Sequence, residues 1–277
     1  MFSILAIGFA LGLPAFAQAG VPLTAEQILR QAVENEPRQN ALREQYLYHE
    51  HVENGPFKAD SSPGKPTRTA DYEIVYLEGA PYHRLVAFNG KPLNPKQEAY
   101  EAEKMRKTAA ERRADQARTK RKIIAIGVRL ADVLRLMDHT LTREEEVGGR
   151  VMWVVESKPK SGAVGASEGD AKVLCYRYTD WIDREDGVLA RQEYEVIKEG
   201  VDSAPGTRSK AVWAKEDGLP WFLRSLEGDF MSKNPKGMGH VFERHSYSDF
   251  RKFDAQSSVG FAEPDAPAHP AAPIEIQ

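Results

Sequence analysis

Apolar and polar residues alternate with a two-residue period along much of the chain, most clearly over residues 174–197. There LCYRYTDWI and VLARQEYEVI flank Asp183-Arg184-Glu185-Asp186-Gly187. Two such runs joined by an Asp-Gly pair, where the backbone needs a positive φ, predict a β-hairpin. Its first strand places Tyr176, Tyr178 and Ile182 on one face and Cys175, Thr179 and Trp181 on the other. Comparable runs at 46–53, 69–77, 82–88, 150–157, 209–215, 221–231 and 240–251 bring the expectation to about nine strands.

Helical periodicity is concentrated in the first half. Thr24 and Gln27 form a capping-box pattern ahead of the stripe Ile28, Leu29, Ala32 and Val33, which ends at Pro37. A second short helical piece is predicted over 38–44. Asn94-Pro95 opens a long charged helix that reaches Lys122, and residues 123–137 carry an apolar stripe that predicts a packed helix. Residues 54–66 and 158–171 read as loops. Helices followed by runs of hairpins give an α+β fold with an antiparallel sheet. A sheet this long curls, and helices packed over its concave face leave an apolar cleft.

The chain has 277 residues and 41% hydrophobic content, enough for one large domain. The net charge of −3 gives no reason to expect a nucleic-acid partner. The first nineteen residues carry no charge, and an apolar run is followed by small residues with two A-x-A sites. That pattern predicts a secretory signal peptide over 1–19, although no Lys or Arg precedes the run. With no cysteine near the cleavage region, the mature chain is expected to be periplasmic, soluble and not lipid-anchored. A single domain over 20–261 is expected, with a charged helical insertion at about 94–122, and a Pro- and Ala-rich tail over 262–277 that reads as disordered.

Candidate chemistry changes the picture little. His49 and His51 share a strand face, with His240 or His245 as further ligands, but Zn-type spacing is absent and surface histidines account for them. The acids Asp180, Asp183, Glu185 and Asp186 lack Ca²⁺-loop spacing and read as turn chemistry. Cys175, inside a strand, reads as a buried small residue. There is no G-x-S-x-G and no ordered triad, so no enzyme activity, catalytic residue, metal or cofactor is expected. The basic end of the long helix, 112–122, is suited to a membrane surface or an envelope protein, although a solvated face explains it too. Trp153, Tyr176, Tyr178, Trp181, Trp213 and Trp221 are the candidate lining for a hydrophobic ligand, with core filling as the alternative.

In order along the chain stand an N-terminal helix before a tyrosine-rich strand, Val147-Gly148-Gly149-Arg150 with Trp153, and Trp181-Ile182-Asp183 with Leu189-Ala190-Arg191-Gln192-Glu193. Leu219-Pro220-Trp221 and Tyr247-Ser248-Asp249-Phe250-Arg251-Lys252-Phe253 follow. This series resembles the LolA-like superfamily, the periplasmic lipoprotein-carrier fold that includes LolB-like and RseB-like proteins. The resemblance implies a strongly curved antiparallel sheet, an incomplete β-barrel, with helices packed over the concave face. It also implies a carrier or binding protein for an acyl chain, a lipoprotein or another hydrophobic ligand, with a lipidated protein as partner. An envelope-sensing or interaction module that uses the charged helix is the alternative, as the RseB-like members suggest. Two departures stand out: the charged segment resembles an insertion, and the lipidated cysteine of a LolB-like receptor is missing.

Overall fold

A computed structural model describes residues 23–119, 130–199, 204–216, 218–234 and 237–253. The expected signal peptide, residues 120–129 of the apolar helical stretch and the expected tail lie outside them. The elements are α1 (Ala25–Arg43), β1 (Tyr46–Pro56), β2 (Arg68–Leu77), β3 (Ala80–Phe88), β4 (Lys91–Pro92), α2 (Pro95–Thr119) and α3 (Leu130–Leu136). They continue with β5 (Met137–Val147), β6 (Arg150–Pro159), α4 (Glu168–Val173), β7 (Tyr176–Asp183), β8 (Leu189–Val196), β9 (Arg208–Ala214), β10 (Phe222–Asn234) and β11 (Gly237–Lys252). All the strands join one sheet in the order β4-β3-β2-β1-β11-β10-β9-β8-β7-β6-β5. Every pairing is antiparallel, and β4 and β5 are the open edges. The fold is the expected α+β arrangement, a curved sheet that does not close.

α1 starts where the capping box predicts, with Thr24 and Gln27 each satisfying the other's backbone N–H. Ile28 and Leu29 are fully buried against Val155 and Ile182 of the sheet and Leu130 of α3. Each such side chain contributes about 1.5–3 kcal/mol on leaving water. Pro37 does not end the helix as expected; α1 runs through it to Arg43. Tertiary contacts hold both sides of the proline. Asn35 Nδ2 donates to the Asp186 and Gly187 carbonyls, and Arg43 Nε donates to the Trp221 carbonyl at 2.6 Å.

Two further expectations change. The loop expected over 158–171 ends in the short helix α4, N-capped by Ser167, and Leu174 is that helix's C-cap. The hairpin strand therefore begins at Tyr176, and Cys175 precedes it, buried, with its thiol donating to the Ala171 carbonyl. Among the described residues there are eleven strands rather than about nine. The two-residue β4 is an addition, and β5, the strand that leads into the Gly148-Gly149 turn, starts early, at Met137, with its later residues mostly exposed. An edge strand with a solvated outer side needs no apolar alternation.

The hairpin turn forms as predicted, with Gly187 at φ +59°. It docks on α1: a Cβ at Gly187 would lie 2.7 Å from Gln31 Nε2. Tyr176 and Tyr178 pack with Val133 and Leu136 of α3 and Val173 of α4, whereas Trp181 packs with Met152 and Val154 on the other face. At the far end of the sheet, α2 rests on Val75 and Tyr82 through Met105. Its Arg112 donates to the carbonyls of Leu77, Ala80 and Pro81 at 2.8–3.0 Å. Part of the basic end thus anchors the helix to the β2–β3 turn.

Candidate ligand-binding face

Strand register defines what the inner face presents. One row across the sheet runs Asp180, Gln192, Ala211, Leu226, His245 and Val52. The adjacent row runs Tyr178, Tyr194, Ser209, Gly228, Glu243 and Asn54. Neither row contains a Lys or an Arg. Ser209 and Gly228 stand between Tyr194 and Glu243, and the Phe230 ring lies over Gly228, leaving no room for a Cβ there.

Toward β1 and β11 this face carries a carboxylate–imidazole chain. His83 Nδ1 donates to Glu50 Oε2 at 2.5 Å, and His245 Nδ1 donates to Glu50 Oε1 at 2.7 Å. His245 Nε2 donates to Glu243 Oε1 at 2.7 Å, and Asn54 Nδ2 donates to the other Glu243 oxygen. The Tyr247 hydroxyl completes the shell of Glu50 at 2.8 Å. His245 stands between two carboxylates, so both its nitrogens donate and the ring is an imidazolium. Burial alone would lower its pKa, but Glu243 and Glu50 push it up to about 9. Burial would raise Glu50, yet the bonds from His245, His83 and Tyr247 hold it down to about 2. Beside this chain lies an aromatic layer in which Tyr48 stacks on Phe250 and Phe222 meets both Tyr46 and Phe250.

Toward β7 and β8 the face carries Asp180, Tyr178 and Tyr194. Asp180 is fully buried, and burial pushes its carboxyl up to about 7 against one hydrogen bond from Gln192 Nε2 at 2.7 Å. Its Oδ2 and the Tyr178 hydroxyl are buried polar atoms with no hydrogen-bond partner. Gln192 and Tyr194 are half-buried and form the accessible side of this part. The cleft expected between helices and sheet is a crevice of 90 Å³ under α1, lined by Ala32, Gln39, Arg43, Leu130, Leu189 and Trp213 among others. Gln39 Oε1 is buried there without a partner.

The six sequence-predicted residues do not converge on one place. Trp213 lines the crevice. Tyr176 and Tyr178 are buried on the inner face under α3 and α4. Trp181 is buried on the outer face, its indole N–H donating to Glu145 and Arg191 stacked over it at 4.2 Å. Trp221 is buried with its N–H on Asp186 at 2.9 Å, and Trp153 is half-buried with its N–H on Glu144. Glu243 and Tyr194 escaped the residue reading, His245 entered it only as a possible metal ligand, Asp180 only as turn chemistry, and Glu50 only as the residue between His49 and His51. Alternation held the signal for Glu50: with His49 and His51 facing outward, the middle residue of HEH must face inward. His51 accordingly pairs with Asp71 on the outer face, and His245 lies on the other side of the sheet. Among the described residues, no cluster of His, Cys, Asp and Glu is arranged to hold a metal.

The outer face carries the cations. A groove of 590 Å³ there is floored by strands of alternating sign: Arg177, then Glu193 and Glu195, then Arg208 and Lys210, then Glu227 and Asp229, then Arg244. Glu195 pairs with both Arg177 and Arg208. Cross-strand pairing of this kind satisfies itself in place.

No family model matches the sequence, and no curated protein matches it. Solved structures of similar fold include a LolA superfamily protein from Nitrosomonas europaea, at 11% identity over 84% of this chain and 95% of that one, with a TM-score of 0.36. A domain assigned to outer membrane lipoprotein sorting, from Vibrio parahaemolyticus, is 12% identical over 84% of this chain and 95% of that one, with a TM-score of 0.38. The MucA/MucB complex of Pseudomonas aeruginosa is 10% identical over 81% of this chain and 99% of that one, with a TM-score of 0.24.

Proposed function

We propose that the chain is an exported carrier or binding protein for an acyl chain, a lipoprotein or another hydrophobic ligand, held between the curved sheet and its helices. The observation that carries this reading is the crevice under α1, where Ala32, Leu130, Val188, Leu189 and Trp213 give an apolar lining and Glu36, Gln39 and Arg43 a polar one. Apolar burial drives such binding, at about 25 cal/mol for each Å² removed from water. Of the predicted lining residues, Trp213 is the best placed. The test is native mass spectrometry of the exported protein together with titration of a fluorescent fatty-acid probe. Co-purified lipid and probe binding weakened by Trp213→Ala support the reading; no lipid and no probe binding defeat it.

A second reading, an envelope interaction or sensing module, draws on α2. In the described part of this helix only Glu101, Met105 and Ala109 are buried, and most of its other side chains are exposed. Pull-down with and without residues 96–122 separates the two readings. Loss of a protein partner with lipid binding intact favours the second.

A further inference from the structure

The crevice under α1 is built along one side of that helix. Ala32, Glu36, Gln39 and Arg43 follow at steps of four, three and four residues, so they share a face, opposite Leu130, Val188, Leu189 and Trp213. Its 90 Å³ is several times the roughly 10–15 Å³ that one water needs. A small polar head and the first methylenes of a chain fit there.

Two groups in this lining have unmet demands. Gln39 is 6% exposed, and its Oε1 has no hydrogen-bond partner. A native fold keeps such an atom where a ligand or an ordered water meets it. Nothing bonded to Oε1 fixes which end of the amide faces the crevice, so a half-turn about χ3 presents the NH2 donors instead. Arg43 is the second group. Its Nε donates to the Trp221 carbonyl at 2.6 Å and its Nη1 to Asn40 Oδ1 at 2.7 Å, both neutral acceptors, and Nη2 makes no hydrogen bond among the described residues. Burial pulls the Arg43 pKa below the usual arginine value, as it does for a cation short of water. Glu36, the acid in the lining, offsets part of this charge from an exposed position one turn before Gln39.

We infer that the crevice takes the carboxylate head of a free fatty acid, the head accepting from Arg43 Nη2 and the Gln39 amide and the chain lying against Leu189 and Trp213. This rests on the carrier reading and names the head group. A carboxylate brings the counter-charge that the neutral partners of Arg43 do not, and such charge-assisted bonds are about twice as strong as neutral ones. A hydroxyl head brings a hydrogen bond without the charge. An ammonium head has nothing to accept with and meets Arg43 as a like charge. An ester- or amide-linked acyl chain has no free carboxylate, so the crevice tells a free acid from a lipidated protein.

The experiment is isothermal titration of the full chain with three probes of one chain length: dodecanoate, dodecanol and dodecylammonium. The expected result is dodecanoate binding tighter than dodecanol by about tenfold or more, with dodecylammonium weakest. Gln39→Glu places a carboxylate four residues before Arg43, where it takes up the guanidinium from within the helix. This variant is expected to keep its urea midpoint at or above that of wild type and to lose the preference for dodecanoate. Gln39→Leu, which removes the amide at similar volume, narrows the gap between dodecanoate and dodecanol. Equal affinity for the three probes, or a dodecanoate preference that survives in folded Gln39→Glu, overturns the head-group inference and leaves the carrier reading standing. No binding of any probe defeats both.

Discussion

Asp183 shows how one side chain ties a turn to the rest of the fold. Its carboxylate accepts from Arg150 Nε at 2.6 Å and Nη2 at 2.8 Å, and from the backbone N–H groups of Glu185 and Asp186. Asp186 in turn accepts from Arg150, Lys215 and the Trp221 indole. The acids of this turn are therefore a structural hub, in line with the turn chemistry that Asp-Gly implied. Asp183→Ala leaves two N–H groups unmet and removes the buried partner of Arg150. The expected cost is about 3 kcal/mol, seen as a lower urea midpoint. Gly187→Ala is also expected to destabilise, by about 1–3 kcal/mol, because φ is +59° and the new Cβ collides with Gln31 and Asn35. A weaker hydrogen-exchange protection of α1 in Gly187→Ala would place the damage at the helix contact.

At the scale of elements, α2 depends on a narrow stripe and one arginine. Met105 packs on Val75 and Tyr82, and Arg112 caps three carbonyls of the β2–β3 turn. Arg112→Ala is expected to raise proteolytic cleavage within 95–115 severalfold while the unfolding midpoint of the sheet stays within about 0.5 kcal/mol of wild type, as local opening differs from global unfolding. Equal loss of both would mean that α2 belongs to the main cooperative unit. Elements of this kind were legible to differing degrees. Strands with one buried face declared themselves through Tyr176, Tyr178 and Ile182, and α1 through its capping box. α4 was hidden because Gly165, Gly169 and Pro159 make its surroundings read as loop, whereas Ser167 and the bond from Arg135 to Asp170 at 2.6 Å supply what the composition lacks. Pro37 misled because its effect on a helix is local, and the contacts that outweigh it come from the hairpin turn and from Trp221.

The two parts of the sheet are joined by the pairing of β1 with β11, strands nearly two hundred positions apart in sequence. This is why the inner face could not be read from local pattern: Glu50 meets His245 across 195 residues and Tyr247 across 197. The same seam should govern how stability depends on pH. His245, raised from its usual 6.5 to about 9, contributes stability that is fully present below 6.5 and is lost as pH rises through about 9. Glu50, lowered from 4.5 to about 2, contributes stability that is present above 4.5 and is lost as pH falls through about 2. Glu243, also lowered, reinforces the acid limb, and Tyr247 and Asn54 add donors that do not titrate in this range. The contribution of this seam is flat between about pH 4.5 and 6.5 and declines on either side, on top of a loss from Asp180 as pH rises from 3.8 to about 7. Glu50→Gln should flatten the acid limb and move the alkaline limb to lower pH, because His245 then keeps only Glu243 as a charged partner. Urea midpoints measured from pH 3 to pH 10 on wild type and variant decide the matter. Parallel profiles would mean that the closing seam is held by its backbone ladder alone and that the buried chain of carboxylates and imidazoles adds nothing to it.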